Sequence, residues 1–163
     1  TLPQGSPPAQ AMTMHLILWR HAEAFDGTPD LSRKLTPKGH KQAEAMAEWL
    51  SKHLPRDTRV IASPAVRAQE TVRALTKDFE TIPSIAPGAQ PESVLVAAEW
   101  PDAKGAVLVV GHQPTLGQAA ALLMGESPTP WTIRKGAIWW LSHRVRGEDT
   151  QVVLRAVMGP DLL

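Results

Sequence analysis

The fold is decided by the stretch His15-Leu16-Ile17-Leu18-Trp19-Arg20-His21, an apolar run that closes on an arginine and a histidine. A second apolar run, Val107-Leu108-Val109-Val110-Gly111, closes on His112. Short apolar runs bounded by polar residues are typical of buried strands. Ligands of open α/β sheets bind just beyond the carboxyl ends of the strands, so both imidazoles are expected where chemistry normally takes place.

Strands and helices are predicted to alternate along the chain. Thr36 and Pro37 fit the cap and first residue of a helix that carries apolar residues at helical spacing up to position 54. The pattern further predicts strands over 59–62, 81–85, 107–110, 137–141 and 151–157, and helices over 65–76, 91–100 and 116–124. This alternation predicts an α/β fold, a three-layer α/β/α sandwich with a mostly parallel central sheet. The last two strands are expected to form a hairpin across the polar stretch 144–150.

The chain of 163 residues has the length of one ordinary domain. Residues 1–13 are rich in Pro, Gly, Ser and Gln, so we expect a flexible tail or a remnant of cloning, followed by a single domain over 14–163. The connection between the first strand and the first helix has about fifteen residues. Connections of that length are often functional.

Composition excludes several classes of function. The 17 Lys and Arg residues are scattered among 16 Asp and Glu residues, so neither nucleic acid nor a membrane surface is an expected partner. The chain has no cysteine, which excludes disulfides, thiolate nucleophiles and thiolate metal sites. No apolar stretch approaches the roughly 20 residues of a membrane-spanning helix, and the amino terminus lacks the layout of a secretory signal. We therefore expect a cytoplasmic protein.

Three predicted strand ends carry groups suited to phosphate chemistry: Arg20 with His21, Ser63 with Arg67, and His112. If the strands are neighbours, these groups converge. Guanidinium groups donate paired hydrogen bonds to phosphate oxygens and stay charged, so Arg20 and Arg67 suit a dianionic phosphoryl group. A neutral imidazole whose far nitrogen donates a hydrogen bond can attack phosphorus, which makes His21 the candidate nucleophile. His112 is then expected to be protonated and to stabilise the phosphoryl oxygens.

Four motifs occur in an order known from one family: LILWRHAE (16–23), LTPKGHKQAE (35–44), SPAVRAQET (63–71) and VVGHQPTLG (109–117). Together they resemble the histidine phosphatase superfamily, whose fold is phosphoglycerate mutase-like, over residues 16–123. The run Arg33-Lys34-Leu35-Thr36 resembles the loop of the small SixA-type phosphohistidine phosphatases.

The resemblance implies a phosphatase in which His21 is transiently phosphorylated and water then releases phosphate. It implies that Arg20, Arg67 and His112 hold the phosphoryl group, and that neither a metal nor an organic cofactor takes part. Only about forty residues separate Thr71 from Gly111, fewer than in relatives that insert a cap there, so the pocket should be open. An open pocket favours phosphohistidine on a protein as the substrate.

The general acid is left open by the sequence. Asp30 occupies the place of an acidic residue in the SixA-type loop, and Glu23, Asp26 and Glu92 are rivals. A general acid contributes about 10²- to 10⁴-fold to a rate, but a leaving group that departs easily needs less help. The P–N bond of phosphohistidine is such a case.

Alternative interpretations remain beside this one. Ser63 can contact phosphate or merely cap the following helix. A metal centre is disfavoured, because no carboxylate or histidine pair has helical ligand spacing and two arginines would repel a cation. A small-molecule phosphomonoesterase would need a working acid. A non-catalytic phosphate-binding module would not need both arginines and both histidines. Whether the protein is a monomer or a dimer cannot be read from the chain.

Overall fold

A six-stranded sheet forms the centre of the computed structural model, which describes residues 12–125 and 131–163. Its strands are β1 (Met12–Arg20), β2 (Arg59–Ala62), β3 (Glu80–Thr81), β4 (Gly105–Gly111), β5 (Ile138–Arg146) and β6 (Asp149–Met158). Their order in the sheet is β3-β2-β4-β1-β5-β6. The pairs β3–β2, β2–β4 and β4–β1 are parallel, whereas β5 pairs antiparallel with both β1 and β6. The mostly parallel sheet is thus confirmed.

Helices cover both faces of this sheet: α1 (Pro37–His53), α2 (Val66–Arg73), α3 (Pro91–Ala97) and α4 (Thr115–Met124). Successive side chains of β1 point to opposite faces of the sheet, so they contribute to two separate apolar layers. Ile17 packs with the helices α1 and α2, whereas Leu16 packs with α3 and α4. These two apolar layers confirm the three-layer α/β/α sandwich. No helix in the described ranges is long and apolar enough to cross a membrane.

Helix α1 begins as its sequence predicts. The Thr36 hydroxyl oxygen accepts a hydrogen bond from the Gly39 amide at 2.9 Å, and Pro37 takes the first helical position, where its missing amide proton costs nothing. Met46 and Leu50 are buried on the face that packs on the sheet. The cap therefore fixes where the connection from β1 ends and the helix starts.

The amino-terminal boundary and the last hairpin differ from expectation. Strand β1 starts at Met12, because its backbone pairs with β5 up to Met12–Val145, so residues 12 and 13 belong to the sheet. The rest of the predicted tail, residues 1–11, lies outside the described residues. In β5 and β6 pairing continues through the polar stretch to Arg146–Asp149, leaving a tight turn in which Gly147 has a φ of 60°. Antiparallel strands can have a face exposed to water, so the ends of these two strands need no continuous run of apolar residues.

Two shorter elements end early for local reasons. The strand predicted over 81–85 is only Glu80–Thr81, followed by a 3-10 turn at Pro83–Ile85, since proline has no amide proton for a sheet. Helix α3 ends at Ala97 rather than at residue 100. The residue before a proline disfavours helical geometry, and Pro101 follows Trp100.

Candidate active site

The sheet order brings the three candidate strand ends together, as the sequence predicts. Strands β2, β4 and β1 are adjacent, and their carboxyl ends lie at one edge. The Ser63 amide donates to the Val110 carbonyl at 3.0 Å, and the His21 amide donates to the Gly111 carbonyl at 3.1 Å. The His21 and His112 rings consequently face each other, with centroids 5.2 Å apart.

His21 is held in one tautomer. Its Nδ1 lies 2.7 Å from the Ala22 carbonyl oxygen, which can only accept, so Nδ1 carries the proton. Arg67 Nε donates to His21 Nε2 at 3.4 Å, which agrees with an unprotonated Nε2. Burial, assisted by the charges of Arg67 and Arg20, lowers the pKa of His21 to about 4. The ring is therefore neutral at pH 7, with the lone pair on Nε2.

Thr71 supports this arrangement from α2. Its hydroxyl donates to the Arg67 carbonyl at 2.7 Å and accepts a hydrogen bond from the Ala22 amide at 3.0 Å. Ala22 is thereby held between α2 and the His21 ring. This role of Thr71 was not predicted from the sequence, although Thr71 lies four residues after Arg67 and thus on the same helical face.

Arg67 lies on the first turn of α2 and is almost fully buried. Besides Nε, both terminal nitrogens are engaged: one donates to the Asp30 carbonyl oxygen at 2.8 Å and the other to Asp30 Oδ2 at 3.1 Å. The guanidinium plane is thus fixed between His21 and the connection that follows β1. A fixed, buried guanidinium is well suited to paired hydrogen bonds with an oxyanion.

Arg20 approaches the site from β1. Its Nη1 donates to the Ile133 carbonyl at 3.0 Å, and within the described residues its buried Nε has no hydrogen-bond partner. Burial and the nearby charge of Arg67 lower the pKa of Arg20. Two neighbouring guanidinium groups, one of which has a buried donor without a partner, favour an anion between them.

The segment carrying Ile133 is bound to the end of β1. The Gly136 amide donates to the carbonyl oxygens of both Arg20 and His21 at 3.1 Å, and Trp19 Nε1 donates to the Gly136 carbonyl at 3.0 Å. Gly136 has a φ of 76°, a conformation that favours glycine. The sequence offered no signal for Ile133, since its contribution is a backbone carbonyl.

His112 is fixed by Ser63. His112 Nε2 lies 2.7 Å from the Ser63 hydroxyl, which also accepts a hydrogen bond from the Ala65 amide at 3.1 Å. Ser63 therefore contacts the site through His112 and accepts from the amide of the residue before α2, but it does not cap the helix, which has no side-chain cap. Within the described residues, buried His112 Nδ1 has no hydrogen-bond partner.

The protonation of His112 differs from the expectation. Burial, with the nearby His21 and Arg67, lowers the pKa of His112 to about 3, so the ring is neutral at pH 7. A phosphoryl group would favour the protonated ring, but in the folded chain burial and the neighbouring cations oppose it. A bound dianion would raise the pKa of His112, because its negative charge favours the imidazolium.

Of the candidate acids, the structure brings Asp30 to the site. Asp30 begins a 3-10 turn, Asp30–Ser32, and its carboxylate contacts Arg33 Nη1 at 3.1 Å as well as Arg67. These hydrogen bonds, that of Arg33 first, lower the pKa of Asp30. An ionised carboxylate between two guanidinium groups positions Arg67 and has no proton to donate at pH 7.

The rival acids are placed elsewhere. Glu23 accepts a hydrogen bond from the Thr36 hydroxyl at 2.7 Å, which ties it to the start of α1. Asp26 is fully exposed, 3.8 Å from Arg33. Glu92 is exposed on the first turn of α3. None of the three has a contact with His21, Arg67 or His112 among the hydrogen bonds and ion pairs of the described residues.

The chemistry that this set of side chains permits is narrow. Within the described ranges no group of three or more histidine, aspartate or glutamate residues could hold a metal ion. The site instead combines two guanidinium groups, the buried and unpaired nitrogens Arg20 Nε and His112 Nδ1, and the unprotonated Nε2 of His21. These groups can bind a tetrahedral oxyanion and present a nitrogen lone pair to it.

Comparisons with known proteins agree with this arrangement. Residues 16–89 match the family model of the histidine phosphatase superfamily, branch 1. A phosphohistidine phosphatase SixA homolog of Haemophilus influenzae is 34% identical over 129 residues, which cover 69% of this chain and 79% of that protein. The phosphohistidine phosphatase SixA of Escherichia coli is 30% identical over 129 residues, 73% of this chain and 80% of that protein. The solved structure of the protein histidine phosphatase SixA complexed with tungstate has a TM-score of 0.75 and 27% identity, covering 91% of this chain and 99% of that one. With the four motifs in order, these relatives show that the chain belongs to the histidine phosphatase superfamily, among its SixA-type members.

Proposed function

We propose that the protein hydrolyses phosphohistidine on other proteins through a phosphorylated His21. The observation that carries the proposal is the state of His21: a neutral ring with the proton on Nδ1, bound to the Ala22 carbonyl, and with Nε2 beside Arg67. A nitrogen nucleophile needs this tautomer, since only the unprotonated nitrogen has a lone pair to attack phosphorus.

In the first step the lone pair of His21 Nε2 forms a bond to phosphorus while the P–N bond of the substrate breaks. The electron pair of that bond stays on the substrate imidazole. A substrate ring that carries a proton on its other nitrogen leaves as neutral imidazole and needs no proton from the enzyme. Arg20, Arg67 and the Nδ1–H of His112 hold the phosphoryl oxygens as charge spreads over them.

In the second step water attacks phosphorus and the P–Nε2 bond breaks. The electron pair returns to His21 Nε2, and the proton of the water passes to the released phosphate. The hydrogen bond from Nδ1 to Ala22 keeps the ring in place through both steps. No metal is required, because the guanidinium groups supply the positive charge.

The state of Asp30 supports phosphohistidine over an ordinary phosphate ester. An alkoxide leaving group needs a proton, whereas Asp30 is held ionised by Arg33 and Arg67. The Haemophilus influenzae relative, a phosphohistidine phosphatase SixA homolog, and the Escherichia coli relative, a phosphohistidine phosphatase, point the same way. Tungstate, present in the SixA structure, is a tetrahedral oxyanion like phosphate.

The test is phosphate release from a histidine-phosphorylated protein and from a panel of alkyl phosphates, measured for the wild type and for His21→Ala. We expect release from the phosphohistidine protein, low release from the esters, and a loss of more than about 10³-fold in the variant. Rapid quenching should also trap phosphate on the wild type in an acid-labile, alkali-stable form that the variant lacks.

His40→Ala is the matched control, because His40 is half exposed on α1 and forms no hydrogen bond to the candidate site. It should retain activity. Efficient turnover of one alkyl ester with none on phosphohistidine would contradict the proposal, and so would release that survives in His21→Ala.

A further inference from the structure

A basic cleft of about 570 Å³ adjoins the candidate site and shares Arg20 with it. The cleft lies between the first turns of α1 and the segment that precedes β5, and it reaches Pro160 at the carboxyl end. Its cationic side chains are Arg20, Lys38, Lys41, Arg134 and Lys135. The catalytic arginine thus forms one end of a wider positive surface.

Most of this charge is not neutralised by the residues that the structure describes. Lys38, Lys41 and Lys135 are exposed and form no ion pair with any described residue. Of the two acidic residues in the cleft, Asp161 lies 3.7 Å from Arg134, and Glu23 accepts the hydrogen bond from Thr36. The positive charge is local, because the whole chain has a net charge of only +1.

The two walls of the cleft are rigid relative to the catalytic histidine. Lys38 and Lys41 lie on α1, whose start is fixed by the Thr36 cap and whose positive dipole end adds to their field. Lys135 precedes Gly136, whose amide is bound to the carbonyl oxygens of Arg20 and His21. A partner held by these lysines would therefore be held at a fixed distance from His21.

We propose that this cleft docks an acidic segment of the phosphoprotein whose phosphohistidine enters the site, an inference that rests on the proposed function. Lysines on two separate walls suit several carboxylates spread along a polypeptide better than one compact anion. Complementary charge beside a reactive centre raises the encounter rate and fixes the orientation of the partner. Nucleic acid is disfavoured, since basic and acidic residues are intermixed over the rest of the chain.

Two histidine-phosphorylated peptides test the proposal, identical except that glutamates flank the phosphohistidine in one and glutamines in the other. The wild type should have a KM about tenfold lower for the acidic peptide, with similar kcat values. The triple variant Lys38→Glu/Lys41→Glu/Lys135→Glu should lose this preference while its turnover of the glutamine peptide stays within about twofold. The preference of the wild type should also fade as salt is raised.

Lys52→Glu/Lys77→Glu/Lys104→Glu is the control, with the same change of charge at the opposite edge of the sheet, where α1 ends and β3 and β4 begin. It should keep the preference. Equal KM values for the two peptides in the wild type, or an unchanged preference in the first triple variant, would overturn the docking proposal. Failure of the proposed function looks different, because neither peptide would then be hydrolysed in a manner that depends on His21.

Discussion

Two imidazoles at this site are held by partners of different kinds. His21 is fixed by the backbone carbonyl of Ala22, so no side-chain substitution removes its partner. His112 is fixed by the hydroxyl of Ser63. Because the Ser63 oxygen already accepts from the Ala65 amide, its own proton is free to be donated to His112 Nε2. When Ser63 donates in this way, the proton of neutral His112 lies on Nδ1.

Ser63→Ala should therefore lower kcat for a phosphohistidine substrate by about tenfold, because the His112 ring can then place its proton on either nitrogen. Loss of the contact with Ala65 should cost about 1 kcal/mol of unfolding free energy and leave the fold intact. Nitrogen NMR shifts of the His112 ring should report mixed tautomers. Thr115→Ala, which removes another buried hydroxyl next to the site, serves as the control. An unchanged kcat in Ser63→Ala would refute this role.

Among single residues, the reactive side chains at strand ends can be predicted from the sequence. Arg20, His21, Arg67 and His112 could be predicted because each follows a strand in a recognisable pattern, and the structure brings them together. The carbonyl that binds Arg20 could not be predicted, since every residue carries a carbonyl. The neutral state of His112 depends on burial and on neighbouring charges, which only the folded chain determines.

At the scale of elements, the connection between β1 and α1 is folded back onto the helices. Ala24 pairs with Leu35 in an isolated bridge, and the Leu35 amide donates to Glu70 of α2 at 2.8 Å. The Thr36 amide donates to the Glu23 carbonyl at 3.0 Å. The length of this connection allows it to place Asp30 against Arg67 and still return to the cap of α1.

Gly39 permits the close approach of α1 to this connection. A Cβ at position 39 would overlap the backbone carbonyl of Glu23, two residues after His21. Alanine gains about 1 kcal/mol over glycine in a helix, but a backbone clash of this kind typically costs about 1 to 3 kcal/mol and displaces the chain. We expect chemical denaturation to show a lower free energy of unfolding for Gly39→Ala than for the wild type. Its activity should fall by more than the loss of folded protein explains.

Gly125→Ala provides the matched control, because among the described residues a Cβ there meets only the Ala121 carbonyl, at ordinary contact distance. It should keep full activity. If Gly39→Ala were as active and stable as Gly125→Ala, the approach of α1 to Glu23 would not position the site.

Elements were predictable where burial imposes a pattern and less so at the edges. The runs in β1, β2 and β4 are apolar because helices cover both faces, and their positions agree with the sequence. The last two strands, β5 and the edge strand β6, extend further than expected, since backbone pairing in their exposed ends needs no apolar side chains. The start of β1 was misplaced for the same reason, as its first residues pair only with β5.

At the scale of the whole molecule, burial of two histidines next to two arginines makes stability depend on pH. The pKa of His21 is lowered to about 4 and that of His112 to about 3, with burial as the main cause in both. In the unfolded chain each histidine titrates near its ordinary value of 6.5. Between these values the unfolded state binds more protons than the folded state, so the free energy of unfolding falls as the pH falls.

We expect a loss on the order of 3 kcal/mol between pH 7 and pH 5, since one pKa unit corresponds to about 1.4 kcal/mol per group and the two rings are coupled. The double variant His21→Gln/His112→Gln should show a flatter profile over this range in urea unfolding at each pH. The pKa of Asp30 is lowered in the folded protein, so protonation of Asp30 at still lower pH also reduces the free energy of unfolding. This effect is the same in the wild type and in the double variant. Replacement of the exposed His40 and His53 by glutamine is the control, and the free energy of unfolding should then fall with pH as steeply as in the wild type. Parallel profiles for the wild type and the His21 and His112 double variant would mean that the two buried rings do not set the acid stability.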